Sequence, residues 1–382
     1  GATLRKGYSI SLKNLPAEAR ESLRKQLELN KSMGVISDDV PPDAILHSLL
    51  TVKKPKGGLR WVVTCITANE ITIEIELFSI DNAEELQEIM KGARFYWVAD
   101  MTKGYWQILL AAESQRLFCF QTPFGPHKYL RAPMGSKFTG PYFDRCVAGM
   151  LEGAGLLRKG VVMIHDDHAG YAANIYDDDP EGRSHYHLLR RYLKTCAEMN
   201  VFISPKKFEV FCTSADIAGH LHGNGGLRPS PPRYQSIVDQ PTPTTVGDVY
   251  KGMSAVGWSR PFIPNFAVLE RPIRAFVMKA LKGGALSMRR ANARLLKDHG
   301  WNEQLQKCYD RMRLAVISAV MRAYRDPKKI PMLLWDASKF AWSYTIVQVD
   351  PKQLKRPWRK MEVEMLVTRS GVFDRTQFGW SI

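Results

Sequence analysis

The stretch GVVMIHDDHAGYAA (residues 160–173) sets two adjacent aspartates, Asp166 and Asp167, between two apolar runs and follows them with a glycine. VVMI and AGYAA suit the two arms of a β-hairpin, so the acids fall at its tip. Such a pair is either a carboxylate site held at a rigid strand end or a solvated acidic turn. The sequence around it decides between these. RFYWVAD (residues 94–100) is a second apolar strand that ends on an acid, Asp100, with a glycine and an aromatic shortly after. Asp100 and Asp166 are far apart in sequence, and only the fold can join them. Carboxylates converging on one cleft are what two-metal phosphoryl transfer requires. Mg²⁺ suits that task because it takes hard oxygen ligands together with substrate phosphates. A rival cluster, Asp177, Asp178 and Asp179, sits among Pro, Glu, Gly and Arg without apolar flanks and reads as a surface loop.

Charge points to the same chemistry. With 54 Lys and Arg against 38 Asp and Glu, the formal net charge is +16, which favours a polyanionic partner, nucleic acid first. At 382 residues the chain is too long for one core and predicts two to four units. No run approaches the roughly 20 uncharged apolar residues of a membrane span, so no membrane partner is expected. The six cysteines show neither metal-ligand spacing nor the density of a disulfide scaffold, which predicts an intracellular reducing compartment. The first residues lack the apolar core of a signal peptide, and the start without Met reads as a processed or trimmed end.

Outward from the centre, Asn14 as cap, Pro16 in the first turn, Leu23 and Leu27 four apart, and Gly34 predict an amphipathic helix. LLTVKKPKGGLRWVVTCI reads as two strands joined by a basic turn. Asp81 and Glu84 stand in capping-box register before ELQEIMKG, and YFDRCVAGMLEG and YHLLRRYLKTCAEM have helical spacing. A Pro-rich passage over residues 228–245 marks a boundary. Residues 270–326 read as helical and basic, and KKIPMLLWDASKFAWSYTIVQVD as two strands.

In this order the motifs resemble a reverse transcriptase of the gypsy-like LTR retrotransposons and their retroviral relatives, over nearly the whole chain. DMTKGYWQI resembles the first catalytic motif, which implies Asp100 as a metal ligand and Tyr105 as the aromatic that excludes a ribose 2′-hydroxyl. FQTPFGPHKYLRAPMGSKFTGPYF resembles the next motif, with Pro133, Met134 and Gly135 at the turn that holds template and nucleotide. IHDD falls where the family has Tyr-x-Asp-Asp, implying Asp166 as the second metal ligand and Asp167 as its catalytic neighbour. VKKPKGGLR resembles the fingers hairpin, whose Lys54 and Arg60 would contact the incoming triphosphate as a point charge and a bidentate fork. VFISPKKFEVF resembles the segment whose lysine, here Lys207, protonates pyrophosphate. IAGHLHGNGGLRP resembles the primer grip, centred on Gly219 and His220. Without the resemblance, Lys54 and Arg60 are a solvated basic turn, Lys207 an exposed lysine and His220 a hairpin histidine. VGWSRPFIPNFAVLERPI resembles the segment that packs thumb and connection, and LLWDASKFAWSYTIVQ the first hairpin of RNase H, with Asp336 at its first catalytic position.

The resemblance implies an α+β, right-hand polymerase fold of fingers, palm and thumb, followed by a helical connection and an incomplete RNase H-like β-hairpin. The expected division is an N-terminal helix and fingers over 1–99, palm over 100–225, thumb over 226–280, basic helical connection over 281–328 and a truncated RNase H-like segment over 329–382. It further implies RNA-directed DNA polymerase activity with two Mg²⁺ ions, an RNA template, a DNA or RNA primer and dNTP. RNase H activity is not expected from this chain alone: either another polypeptide completes that domain, or only its first strands remain as a structural docking piece. Some positions depart from the family: Thr64 and Ile66 replace a charged pair, Ile164 replaces the tyrosine before the double Asp, SKFTG replaces Leu-x-Asn-Ala-Pro, and Trp342 and Tyr344 stand where small residues are usual. These departures carry the alternative expectation of a domesticated, catalytically inactive relative that serves as an RNA-binding or structural subunit of a larger assembly.

Overall fold

Continuous apolar runs dictate the strands that carry the candidate acids. The computed structural model describes residues 16–53, 59–73, 83–178, 182–223, 225–281 and 287–373. RFYWVAD contributes the strand Phe95–Asp100, with Tyr96, Trp97 and Ala99 buried. The expected hairpin forms from Val161–Ile164 and Asp167–Ala172, with Ile164 opposite Asp167. A tight turn follows from this register, and His165 supplies its left-handed residue at φ 55°. These strands belong to a four-stranded sheet in the order Val161–Ile164, Asp167–Ala172, Phe95–Asp100, Glu209–Cys212.

Chain contacts divide the molecule into two units. The first comprises the chain up to Asp81 with Trp97–Gly170 and Tyr176–Val210; the second comprises Asn82–Tyr96, Tyr171–Ile175 and the chain from Phe211 onward. In the first unit a five-stranded sheet runs in the order Ile36–Ser37, Gly125–Tyr129, Cys119–Thr122, Leu46–Lys53, Leu59–Thr64. Leu23 and Leu27 of the helix Ala17–Ser32 join Leu49, Val63, Phe118 and Phe120 in its core. The N-cap of that helix is Pro16, without a side-chain cap bond. Asn14, expected as its cap, lies outside the described residues, as do Asp81 and the side chain of Glu84. The carboxylate-bearing strands rest on Trp97, which is fully buried with its ring 4.4 Å from that of Tyr192 on the helix His185–Glu198. Gly170 is required beneath it, because a Cβ there would run into the Trp97 indole.

The second unit has a helical core and one long sheet. Val246–Gly257, Phe266–Ala280 and Glu303–Leu314 pack through Val249, Met253, Phe266, Ile273, Phe276 and Met312. Thr245 and Asp248 form a complete capping box at the start of the first of these helices. The Pro-rich passage is more than a connector: it holds the strand Gly226–Pro229 and the helix Pro231–Val238, whose prolines occupy the first turn, where no backbone donor is needed.

The expected C-terminal hairpin forms from Ile330–Ala337 and Ala341–Val349 and is extended by Glu364–Val372. These strands do not stand alone. Through Arg322–Ala323 they continue the strands Gly226–Pro229, His220–Gly223 and Ser214–Ile217 into a seven-stranded sheet. Arg322 is fully buried at the junction, donating from Nε to Leu366 O at 2.9 Å. Arg260 donates to Ser370 O at 2.7 Å, and Ser370 Oγ accepts from Ala267 N at 2.9 Å. No helix among the described residues is long and apolar enough to cross a membrane.

Candidate polymerase active site

Asp100 is held near Asp166 through the backbone of the residue that follows it. Met101 N donates to Asp166 O at 3.1 Å, so the end of the Phe95–Asp100 strand is fixed against the hairpin tip. On the other side, Ser204 N donates to Asp100 O at 2.8 Å, and Thr102 N to Phe202 O at 3.0 Å. This second tether brings the short 3₁₀ turn Pro205–Lys207 beside the acid, and Lys207 Nζ lies 2.6 Å from Asp100 Oδ2. The Asp100 side chain is only 19% exposed, whereas that of Lys207 is 65% exposed. The hydrogen bond to Asp100 holds the Lys207 ammonium above its ordinary range, and the fields of Asp167 and Asp166 add to it.

Tyr105 faces the same acids from the 3₁₀ turn Gly104–Gln107. Its ring stands edge-on to Phe143 at 5.4 Å. Burial raises its phenol pKa first, and the carboxylates of Asp166 and Asp144 raise it further. The geometry thus gathers Asp100, Asp166, Asp167, Lys207 and Tyr105 in the first unit.

Two residues of this neighbourhood were not singled out from sequence. Asp144, buried on the helix Thr139–Gly153, accepts from His165 Nδ1 at 3.0 Å through one oxygen, and its other oxygen has no partner. Burial raises the Asp144 pKa, His165 opposes that shift, and Asp166 adds to it. The only signal in the sequence is an acid within an apolar helical face and a histidine at a hairpin tip, neither specific alone. No group of three or more His, Cys, Asp and Glu side chains among the described residues is arranged to hold a metal by itself.

No family model matches the chain. It is 27% identical over 234 residues to the retrovirus-related Pol polyprotein from transposon 297 of Drosophila melanogaster, covering 60% of this chain and 21% of that polyprotein. It is 25% identical over 352 residues to the Gag-Pol polyprotein of koala retrovirus, covering 90% of this chain and 19% of the relative. The chain is related to retroviral and retrotransposon Pol polyproteins. It spans only about a fifth of the length of these curated relatives. Among solved structures, it matches the foamy viral protease-reverse transcriptase in complex with dsDNA at a TM-score of 0.76 and 16% identity, covering all of this chain and 71% of that one. The same foamy viral protein in complex with RNA/DNA hybrid matches at 0.73 and 15% identity, covering all of this chain and 46% of that one. The α+β right-hand fold is therefore that of a reverse transcriptase.

The remaining residues of this Pol relative fall into separate neighbourhoods. Gly135 takes φ 99°, and a Cβ there would lie 2.8 Å from Val63 O, so the MGSK turn is pressed onto the strand Leu59–Thr64. Asn69, not singled out from sequence, braces this turn by donating to Gly135 O at 3.0 Å and accepting from Lys137 N at 2.8 Å. Met134 and Arg60 are exposed. Lys54 lies outside the described residues. At the departures from the family pattern, Thr64 Oγ1 donates to Ser48 O at 3.1 Å and Ile66 is exposed.

In the second unit Gly219 takes φ 82°, and the buried His220 stacks on Trp258 with ring centroids 4.0 Å apart. Arg233 covers the same indole at 4.8 Å. Burial, aided by Arg322 and Arg233, lowers the His220 pKa to about 4; burial and His220 lower that of His222 to about 3. Asp336 is exposed on the strand Ile330–Ala337 opposite Ser343, and Trp342 and Tyr344 stack at 6.1 Å on the neighbouring strand.

Proposed function

We propose that the chain is an RNA-directed DNA polymerase whose catalytic acids are Asp100 and Asp166. The observation that carries this reading is the convergence of these two strand-end acids with Lys207 on Asp100. Retroviral and retrotransposon Pol relatives, and the reverse-transcriptase fold, support it at family level.

The carboxylates offer the hard oxygens that Mg²⁺ prefers, and the ammonium on Asp100 marks that oxygen as one that accepts a cation. Asp100 and Asp166 would hold two Mg²⁺ ions, with nucleotide phosphates completing the ligand set, and the ions would neutralise charge on the reacting phosphate. The chain's own residues supply the rest. Arg60, with Lys54, binds the triphosphate. Tyr105, backed by Phe143, closes the sugar site against a 2′-hydroxyl. The primer 3′-hydroxyl attacks the α-phosphate, pyrophosphate leaves, and Lys207 donates it a proton. Asp167 holds the hairpin register beside Asp166, and Gly219 and His220 present the primer strand.

Primer extension on an RNA template with Mg²⁺, compared with Asp166→Asn, tests this reading. Extension that the substitution abolishes is expected. Absence of extension with any divalent metal, while nucleic acid is still bound, sinks it in favour of a non-polymerising RNA-binding or structural subunit. The uncharged pair at Thr64 and Ile66 is the observation that favours this second reading.

A further inference from the structure

The connection between the strands Ala341–Val349 and Glu364–Val372 has no part in the site described above. It is built as two short 3₁₀ turns, Pro351–Lys355 and Trp358–Lys360. Five cations fall within nine residues: Lys352, Lys355, Arg356, Arg359 and Lys360. All five are exposed. The flanking acids do little to offset them. Asp350 caps the first turn by accepting from Lys352 N at 2.8 Å, and Glu362 lies 3.9 Å from Arg356 alone. Glu364 is held by Lys329 and Gln348, at 2.5 and 2.7 Å. Among the described residues Lys352, Lys355, Arg359 and Lys360 have no acidic partner.

Between these cations the chain exposes apolar surface that a solvated basic loop does not need. Trp358 is 65% exposed and Leu354 is also exposed. Arg359 lies 5.4 Å from the Trp358 ring centroid and leaves the indole open to a second planar group. Cations that follow a phosphate backbone, interleaved with an aromatic face on which a base stacks, are the two elements of single-strand recognition. A membrane surface fits less well, since turns of five and three residues cannot form the amphipathic helix that buries an apolar face in lipid.

We infer that residues 351–361 form a second nucleic-acid contact, in which Lys352, Lys355, Arg359 and Lys360 engage phosphates of a single strand and Trp358 stacks on one of its bases. The inference rests on the polymerase reading only in taking nucleic acid as the partner. It assigns the contact to a surface distinct from the Asp100 and Asp166 centre.

The test uses the full chain and a fluorescein-labelled oligo(dT) or oligo(U), with affinity measured across a salt series. Replacing Lys352, Lys355, Arg359 and Lys360 together by Gln is expected to reduce the salt slope of log K by about 3. Trp358→Ala is expected to weaken binding about 5- to 100-fold at unchanged slope, with Trp358→Phe retaining most of the affinity. An unchanged slope in the fourfold variant, or unchanged affinity in Trp358→Ala, overturns the inference. So does loss of binding to phosphatidylserine vesicles in these variants with oligonucleotide binding intact, which would assign the surface to a membrane. Primer extension on the same proteins separates the two readings: if the wild-type chain extends no primer but the slope still falls in the variant, the polymerase reading fails and this one stands.

Discussion

Lys207 Nζ sits 2.6 Å from Asp100 Oδ2, and two backbone bonds from the intervening turn, Ser204 N to Asp100 O and Thr102 N to Phe202 O, hold it there. The pair is anchored through its backbone, and its side chains are unequal in exposure. An exposed lysine contributes little to stability through such a pair, on the order of 1 kcal/mol or less. In the proposed mechanism its value is chemical. Lys207→Ala is therefore expected to leave the thermal midpoint within about 2 °C while slowing single-turnover nucleotide addition about 100-fold or more. Lys207→Arg, which cannot give up its proton readily, is expected to restore nucleotide binding better than it restores rate. Equal recovery of both would remove Lys207 from the proton-transfer role.

The His165 and Asp144 contact fixes the hairpin tip from below. His165→Gly keeps the left-handed turn, since glycine adopts positive φ freely, but leaves the buried Asp144 with neither oxygen paired. The expected cost is about 1–3 kcal/mol in urea unfolding. Adding Asp144→Leu should recover much of that loss, because the orphaned carboxyl is then gone. If the single and double variants unfold alike, the contact has no structural weight.

Two glycines make opposite predictions. Gly170→Ala drives a methyl group into the Trp97 indole under the carboxylate strands and is expected to destabilise by about 1–3 kcal/mol. Gly149→Ala, on the open face of the helix Thr139–Gly153, meets nothing within 4 Å and is expected to stabilise by about 0.5–1 kcal/mol. Urea denaturation midpoints of the two variants check both signs.

His220 and His222 predict an acid limit. Both are held neutral in the folded chain, with pKa values lowered to about 4 and about 3 from 6.5. The unfolded chain therefore binds more protons between these limits. Their contribution is fully present above pH 6.5 and is lost as pH falls from there towards 3. His222→Asn, which cannot charge, is expected to flatten the fall in thermal midpoint between pH 6.5 and 4. An unaltered profile would assign the acid sensitivity to other groups.

The strands of the centre were legible in sequence, because they are short apolar runs flanked by acids and are buried over consecutive residues. VVMI, AGYAA and FYWVAD formed the expected strands for that reason. What periodicity could not supply were contacts between distant segments. The bond from Met101 N to Asp166 O, the approach of Lys207 and the seating of His165 on Asp144 depend on chain path alone. The helix Pro231–Val238 was hidden because proline reads as a breaker unless it occupies the first turn. The joining of the C-terminal hairpin to the strand Gly226–Pro229 was hidden because the bridging piece, Arg322–Ala323, is two residues long, below any pattern.

That two-residue bridge also changes how the C-terminal third of the chain is valued. Loss of all three strands, Ile330–Ala337, Ala341–Val349 and Glu364–Val372, would open the edge of Arg322–Ala323 and strip the buried guanidinium of Arg322 of Leu366 O. Exposed edges invite pairing with other chains. These strands therefore guard the sheet edge against aggregation, a task independent of any chemistry at Asp336.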